Sequence, residues 1–224
     1  MSEFEHGYIS PWGYIIDAEN LPDLISTTDF SKYTNGKYGT TDTRIAVNIS
    51  SASDAVRNFC GWHISPSLEC GMLYNVHDLR DAFVGPDLLI QLPATFVTNV
   101  SKVVLGAVWD ADADDWRGEL VDDDRIDFGM GEGVIRIYDV GALDRKSKIF
   151  VRYTAGFNDT AIAAVKEVTA SAVVRALNNT NGVISEAAGG VSVSYSSAIS
   201  GKGSTALVND TREVLDVYRV RRFY

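Results

Sequence analysis

Asp110, Asp112 and Asp114 stand at alternate positions in "DADADDWRGEL", the spacing with which the first, third and fifth residues of a calcium loop present oxygen ligands. The pattern fails further on. The sixth position, where such loops need glycine for a sharp turn, is Asp115, and the twelfth, which must supply a bidentate glutamate, is Val121. The stretch therefore reads as a solvated acidic hairpin tip, and no metal or cofactor is expected. Residues 129–135, "GMGEGVI", space their glycines as G-x-G-x-G, lack the third glycine of a dinucleotide fingerprint and open a strand-like run, so they read as a turn. Cys60 and His63 could be drawn as a nucleophile and base. They sit at the carboxyl end of an expected helix, where the partial negative charge disfavours a thiolate. His6 and His77 have no ligand spacing with each other or with a cysteine. No phosphate loop, H-E-x-x-H or G-x-S-x-G pattern occurs. Trp12, Trp109 and Trp116 could stack on bases or sugars, but no basic residues interleave with them, so packing or partner contact is the expectation.

The elements that would position these residues follow from periodicity. Residues 1–20 carry Gly7, Pro11, Trp12 and Gly13 without a clear period and read as an arm ordered only when something binds it. A short lead-in helix is expected around Asp29–Tyr33, capped by Thr27 or Thr28 and stopped at Asn35-Gly36. A longer helix is expected over Thr41–Cys60, where Ile45, Ile49, Ala52, Val56, Phe59 and Cys60 fall on one stripe. Asp54, Arg57 and Asn58 lie away from it and are expected to meet solvent or a neighbouring subunit, while Gly61 ends the helix in a left-handed turn.

From His63 to Phe157 the period drops towards two. Runs at 88–93, 96–106, 133–140 and 148–157 are separated by Gly, Asp and Asn clusters, which predicts an antiparallel meander or small sandwich. A second long helix is expected over Asp159–Asn178, capped by Asp159 or Thr160. Its apolar residues lie on more than one face, so it should be covered on more than one face, by the sheet or by an identical subunit. Residues 183–206, rich in Ser, Gly and Ala, read as a mobile link, and "NDTREVLDVYRVRRFY" regains helical character with Asp210 as cap. The fold class expected is α+β: a small helical core of two long helices plus short lead-in and C-terminal helices, with a β-rich antiparallel middle insertion over about 63–157. The corresponding organisation is an arm over 1–20, a main domain over 21–182, and a linker with a docking tail over 183–224.

Composition bounds the function. Thirty acidic against twenty basic residues give a net charge of -10, which disfavours general affinity for phosphate backbones. No run approaches the roughly 18 consecutive apolar residues of a membrane span, and "MSEFEHGYIS" has no signal-peptide core, so a cytoplasmic site of synthesis is expected. Two cysteines are too few for a disulfide framework in a chain of 224 residues.

Three pieces of the chain carry a resemblance. They are the corner Phe59-Cys60-Gly61-Trp62-His63, the run Tyr153-Thr154-Ala155-Gly156-Phe157 leading into the second long helix, and the stretch from Ser185-Glu186 to Ser194-Tyr195-Ser196. In this order, followed by "REVLDVYRVRRF", the pattern resembles the head-tail connector (adaptor) family of tailed bacteriophages over roughly Leu21–Phe223. The long aromatic arm and the acidic hairpin near 107–130 depart from it. The resemblance implies a non-enzymatic virion protein of the phage neck, assembled in the host cytoplasm. It would form a ring, typically dodecameric, that joins the portal protein to the stopper or tail-terminator protein. Genomic DNA would pass through without sequence-specific binding. On that reading Tyr218, Arg219, Arg221, Arg222, Phe223 and Tyr224 contact the portal. The hairpin residues Trp109, Asp110, Asp112, Asp114, Asp115 and Trp116 face another neck protein or the lumen. Phe59, Gly61 and Trp62 form a structural corner. The rival expectations are a β-rich ligand-binding module, an enzyme assembled from scattered carboxylates, and a different neck protein.

Overall fold

The structure, a computed structural model, describes residues 8–16, 18, 20–40, 43–129, 133–178, 185–188, 191–194 and 209–220. The protein is α+β and rich in strand, and it divides into two compact units. The first takes residues 1–21, 61–161 and 218–224, and the second residues 22–60 and 162–217.

The first unit is built on antiparallel strands β1 (Tyr8–Ile9), β2 (Ile15–Ile16), β3 (Leu68–Asn75), β4 (Phe83–Val84), β5 (Asp87–Gln91), β6 (Val97–Asp110), β7 (Asp115–Leu120), β8 (Ile126–Phe128), β9 (Val134–Ile137) and β10 (Lys148–Ala155). Six of them form one sheet in the order β1-β2-β3-β10-β6-β7, and four form another in the order β4-β5-β9-β8. Strand β10 lies between β3 and β6. Its alternate residues Ile149, Val151, Tyr153 and Ala155 are fully buried, while Phe150 on the other face is covered by Trp116. The half-buried Lys148, Arg152 and Thr154 share the Phe150 face, so "KIFVRYTA" keeps the alternation of a strand fully buried on one face. In β6 a bulge between Leu105 and Val108 places Gly106 at φ +63°, a left-handed value that glycine adopts freely. Gly118 lies across from it, where a Cβ would press to 2.8 Å from the Val104 side chain. The smaller sheet is tied by Arg136, whose NH2 group donates to the Asp87 carboxylate at 2.6 Å and whose guanidinium lies over Tyr138.

This unit is larger than the expected insertion because the first twenty residues contribute to it. The expectation of an arm ordered only by a partner fails for residues 8–16. Tyr8 and Ile9 pair with Ile16 and Ile15, and Ile15 and Ile16 pair in turn with Gly71 and Cys70. Tyr14 and Ile16 are both 1% exposed. Pairing partners more than fifty positions away leave no local period to read.

The second unit holds helices α1 (Thr27–Tyr33), α2 (Thr43–Cys60), α3 (Ala163–Asn178) and α4 (Asn209–Leu215), with a two-stranded ribbon of β11 (Ser185–Ala188) and β12 (Val191–Ser194). The cap of α1 is Ser26, not Thr27 or Thr28; its hydroxyl accepts from Asp29 N–H at 3.0 Å. Asn35 and Gly36 stop that helix at φ +52° and +74°. In α2 the stripe residues Ile45, Ile49, Ala52, Val56 and Cys60 are at most 1% exposed. Arg57, expected at the surface, is 2% exposed and donates to the Pro22 carbonyl at 2.6 Å. Its long side chain turns back to a main-chain acceptor thirty-five positions earlier, which helical spacing alone does not register. Helix α3 is covered within the unit by α1, α2 and α4, and Thr169 meets its buried position by donating to the Val165 carbonyl at 2.7 Å. The segment expected as a mobile link contains the β11-β12 ribbon, which pairs Ser185 with Ser194 through Ala188 with Val191.

Candidate functional site

Two of the three stretches that carry the resemblance contribute residues, within the first unit, to one corner, while the third, from Ser185 to Ser194, forms the ribbon of the second unit. Gly61 takes φ +79° and turns the chain. Trp62 follows, fully buried, with its ring tilted against Phe157 at 5.9 Å and its Nε1–H donating to the Tyr218 carbonyl at 2.6 Å. Tyr218 closes the cluster edge-on to Phe157 at 5.4 Å, and Phe96 stacks on the same ring at 4.4 Å.

His63 is the centre of the polar part. The Tyr14 hydroxyl accepts from the His63 backbone N–H at 3.0 Å, so its own hydrogen is directed to Nδ1 at 2.8 Å. Nε2 then carries the ring proton and donates to the Ala155 carbonyl at 3.0 Å. Both ring nitrogens are thus committed to protein groups, and the side chain is 0% exposed. Ile64 takes φ +64°, a value that costs a β-branched residue roughly 1–3 kcal/mol. Burial of its side chain and the Phe157 N–H bonded to its carbonyl at 2.8 Å offset that strain. Gly156 at φ +121° lets the two chains close, because any Cβ there would collide with the Pro66 carbonyl. Sequence reasoning singled out Gly61 and Trp62 but missed Tyr14, Ile64 and the locking of His63, since each depends on a residue far away in the chain. Phe59, on the helical unit, is half-buried with the Arg212 guanidinium over its ring at 5.9 Å. Cys60 on the same unit donates to the Leu215 carbonyl.

The acidic hairpin is less anionic than its sequence. The Asp110 carboxylate accepts from the backbone N–H groups of Asp112 and Ala113 at 2.9 and 3.1 Å and pairs with Arg117 at 2.7 Å. Asp115 pairs with Lys102 at 2.5 Å and with Arg152 at 3.1 Å. Partial burial pushes the Asp115 carboxyl up, but the Lys102 and Arg152 cations and the Trp116 N–H together hold it below the usual carboxylate range. Asp112 and Asp114 remain exposed. Among the described residues no group of three or more His, Cys, Asp or Glu side chains is arranged to hold a metal ion. Trp116 turns inward, 4% exposed and stacked on Phe150 at 5.3 Å, and Trp109 meets it edge-on at 5.4 Å. Trp12 instead stacks on Tyr14 at 6.1 Å, so Trp12 and the Trp109–Trp116 pair are packed separately and do not form one stacking platform.

At the base of the hairpin an open cleft of about 360 Å³ is lined by Ala107, Val108, Trp109 and Trp116, with Asp144 and Lys146 from the loop before β10 and Lys148 at the start of that strand. Arg145, Lys146 and Lys148 place three cations within four residues, a basic spot on an acidic chain. Sequence reasoning missed it because attention fell on the aspartates.

Tyr218, expected on the portal face, spends its carbonyl and ring inside the corner and is half-buried, whereas Arg219 is exposed. Arg221, Arg222, Phe223 and Tyr224 lie outside the described residues. Among the described residues no helix is long and apolar enough to cross a membrane. No protein-family model matches the chain, and no curated protein matches it.

Proposed function

We propose that the protein is a non-enzymatic subunit of a tailed-phage neck, an adaptor that forms a ring, dodecameric on the family pattern, between the portal and the stopper or tail-terminator protein. The observation that carries this reading is the corner. The aromatic-Cys-Gly-Trp-His and Tyr-Thr-Ala-Gly-Phe stretches, ninety residues apart, contribute residues to a single hydrogen-bonded unit, joined by the start of the terminal tail at Tyr218. Two of the three pieces of the family pattern thus share one structural element, which supports the reading. The polar groups of Tyr14, Trp62 and His63 are engaged in holding the chain, which suits a scaffold.

Two further features support assembly. The six-stranded sheet ends at β1 and β7 with Tyr8, Ile9 and Leu120 exposed at 45%, 47% and 60%, and two unlike edges are what a head-to-tail ring contact needs. The net charge of -10 lets DNA slide past such a ring without adhering. In this proposal two helices, α2 and α3, form the family's helical core, and Arg219 with residues 221–224 faces the portal.

The test is the mass and image symmetry of the purified protein, alone and mixed with the portal protein encoded near its gene. A portal capped by one copy per portal subunit supports the proposal. A stable monomer that never binds the portal removes it and favours a ligand-binding module using the Trp109–Trp116 cleft, which would then change tryptophan emission with a small ligand. Deleting residues 210–224 with portal binding undiminished would remove the tail assignment alone.

A further inference from the structure

The cleft at the base of the β6-β7 hairpin has an aromatic floor of Trp109 and Trp116 and a rim of Lys146 and Lys148 with Asp144 beside them, two cations to one carboxylate. Residues 3–5 of the same chain read Glu-Phe-Glu, an aromatic side chain flanked by two carboxylates. Of the four carboxylates in residues 1–20, Glu3 and Glu5 flank Phe4, and Asp17 and Glu19 follow Ile16 without an aromatic neighbour between them. From this complementarity we propose that the Trp109–Trp116 cleft receives Phe4 from a second copy of the chain, with Glu3 and Glu5 facing Lys146 and Lys148. The inference rests on the ring-forming reading and gives it a specific contact between subunits.

The geometry of the first unit decides that the donor is another copy. Register places Tyr8 opposite Ile16, Ile16 opposite Cys70, Cys70 opposite Tyr153, and Tyr153 opposite Val100. Four steps between neighbouring strands separate β1 from β6, about 19 Å at the usual strand spacing. Trp109 lies nine residues beyond Val100 along β6, roughly a further 25–30 Å at strand rise. Phe4 lies four residues before Tyr8, a reach of at most about 14 Å for extended chain. Strand β1 runs in the same direction as β6, being an even number of antiparallel steps away, so the end of β1 to which Phe4 is attached is the end away from Trp109. The segment therefore cannot fill its own cleft. Donor segment and acceptor cleft belong to opposite edges of one sheet, and such a pair propagates head to tail and closes when the rotation allows.

The test has two arms. In the first, a capped synthetic peptide of residues 1–7 is titrated into the full-length Phe4→Ala protein while tryptophan emission is followed. Saturable binding is expected, lost when the peptide itself carries Phe4→Ala. Lys146→Glu with Lys148→Glu should weaken it at least tenfold, and a peptide carrying Glu3→Lys and Glu5→Lys should recover most of that loss. The charge-swap recovery shows that the altered protein is folded. No binding up to millimolar peptide, or binding indifferent to Phe4 and to the two lysines, overturns the inference whatever the oligomeric state. In the second arm, a photo-crosslinker at position 4 is activated in portal-templated assemblies made from mixed light and heavy-isotope subunits. Crosslinks from position 4 of one isotope to the 106–116 region of the other support the inference. A ring whose crosslinks fall within one subunit, or elsewhere, overturns it while leaving the ring standing. Specific peptide binding without any ring on the portal supports the cleft as the Phe4 site and counts against the ring reading alone.

Discussion

Replacing Trp62 by alanine tests whether the corner holds the β-rich unit together. Trp62 is fully buried, and a buried aromatic side chain removes about 150–250 Å² from water. At roughly 25 cal/mol per Å² that is worth about 4–6 kcal/mol, of which truncation to alanine forfeits most, in line with the roughly 3–5 kcal/mol seen for large aromatics. The Nε1–H donated to the Tyr218 carbonyl at 2.6 Å adds about 1 kcal/mol net. Trp62→Ala is therefore expected to lose about 4 kcal/mol. Trp62→Phe keeps a ring against Phe157 but removes the donor and part of the volume, and should lose about 1–2 kcal/mol. Urea unfolding followed by far-UV circular dichroism measures both, without relying on the fluorophore that is removed. Loss below about 1 kcal/mol for the alanine variant would refute the argument that the corner is a packed anchor. Equal losses for the two variants would instead assign the effect to the Tyr218 hydrogen bond.

Tyr14→Phe removes the acceptor for the His63 N–H and the donor to Nδ1 in one step, so urea unfolding should show a loss of about 1–3 kcal/mol; an unchanged midpoint would contradict the locked tautomer. The Arg136 guanidinium, with the Asp139 N–H, holds the Asp87 carboxyl below its ordinary value. A depressed carboxylate contributes stability above its unfolded value that is lost as pH falls through the folded one. The urea midpoint should therefore fall more steeply below about pH 4 in the natural protein than in Asp87→Asn, and parallel acid limbs would sink this assignment. Burial pushes the Cys70 thiol up to about 12, so Cys70 should not react with a thiol reagent at pH 8 until the protein unfolds. The sign on the alkaline side is opposite to that of Asp87. Stability from the protonated thiol is present below about pH 9 and declines by about 1.4 kcal/mol per pH unit up to about 12, a slope that Cys70→Ala should reduce.

What could be read directly from the sequence was whatever a local period encodes. The stripe Ile45, Ile49, Ala52, Val56 and Cys60 is buried to within 1%, because 3.6 residues per turn puts those positions on one face in any folded context. Gly61, Asn35 and Gly36 stop helices with positive φ, as their side chains or lack of them allow. The failed calcium pattern was likewise visible, since a loop without its sixth glycine and twelfth glutamate cannot close around the ion.

Tertiary structure alone decided the rest. Whether "GYISPWGYII" is an arm or two strands depends on Gly71 and Cys70 offering an edge, and nothing near residue 15 signals that. Arg57 is polar by type and buried by position, its guanidinium donating to the Pro22 carbonyl. His63 becomes a locked strut, and Asp115 an ion-pair member in place of a loop ligand, only when Tyr14, Ala155, Lys102 and Arg152 arrive from distant strands. A sequence displays periodicity and side-chain type; it does not display which far residue completes a hydrogen bond, and burial makes that completion decisive.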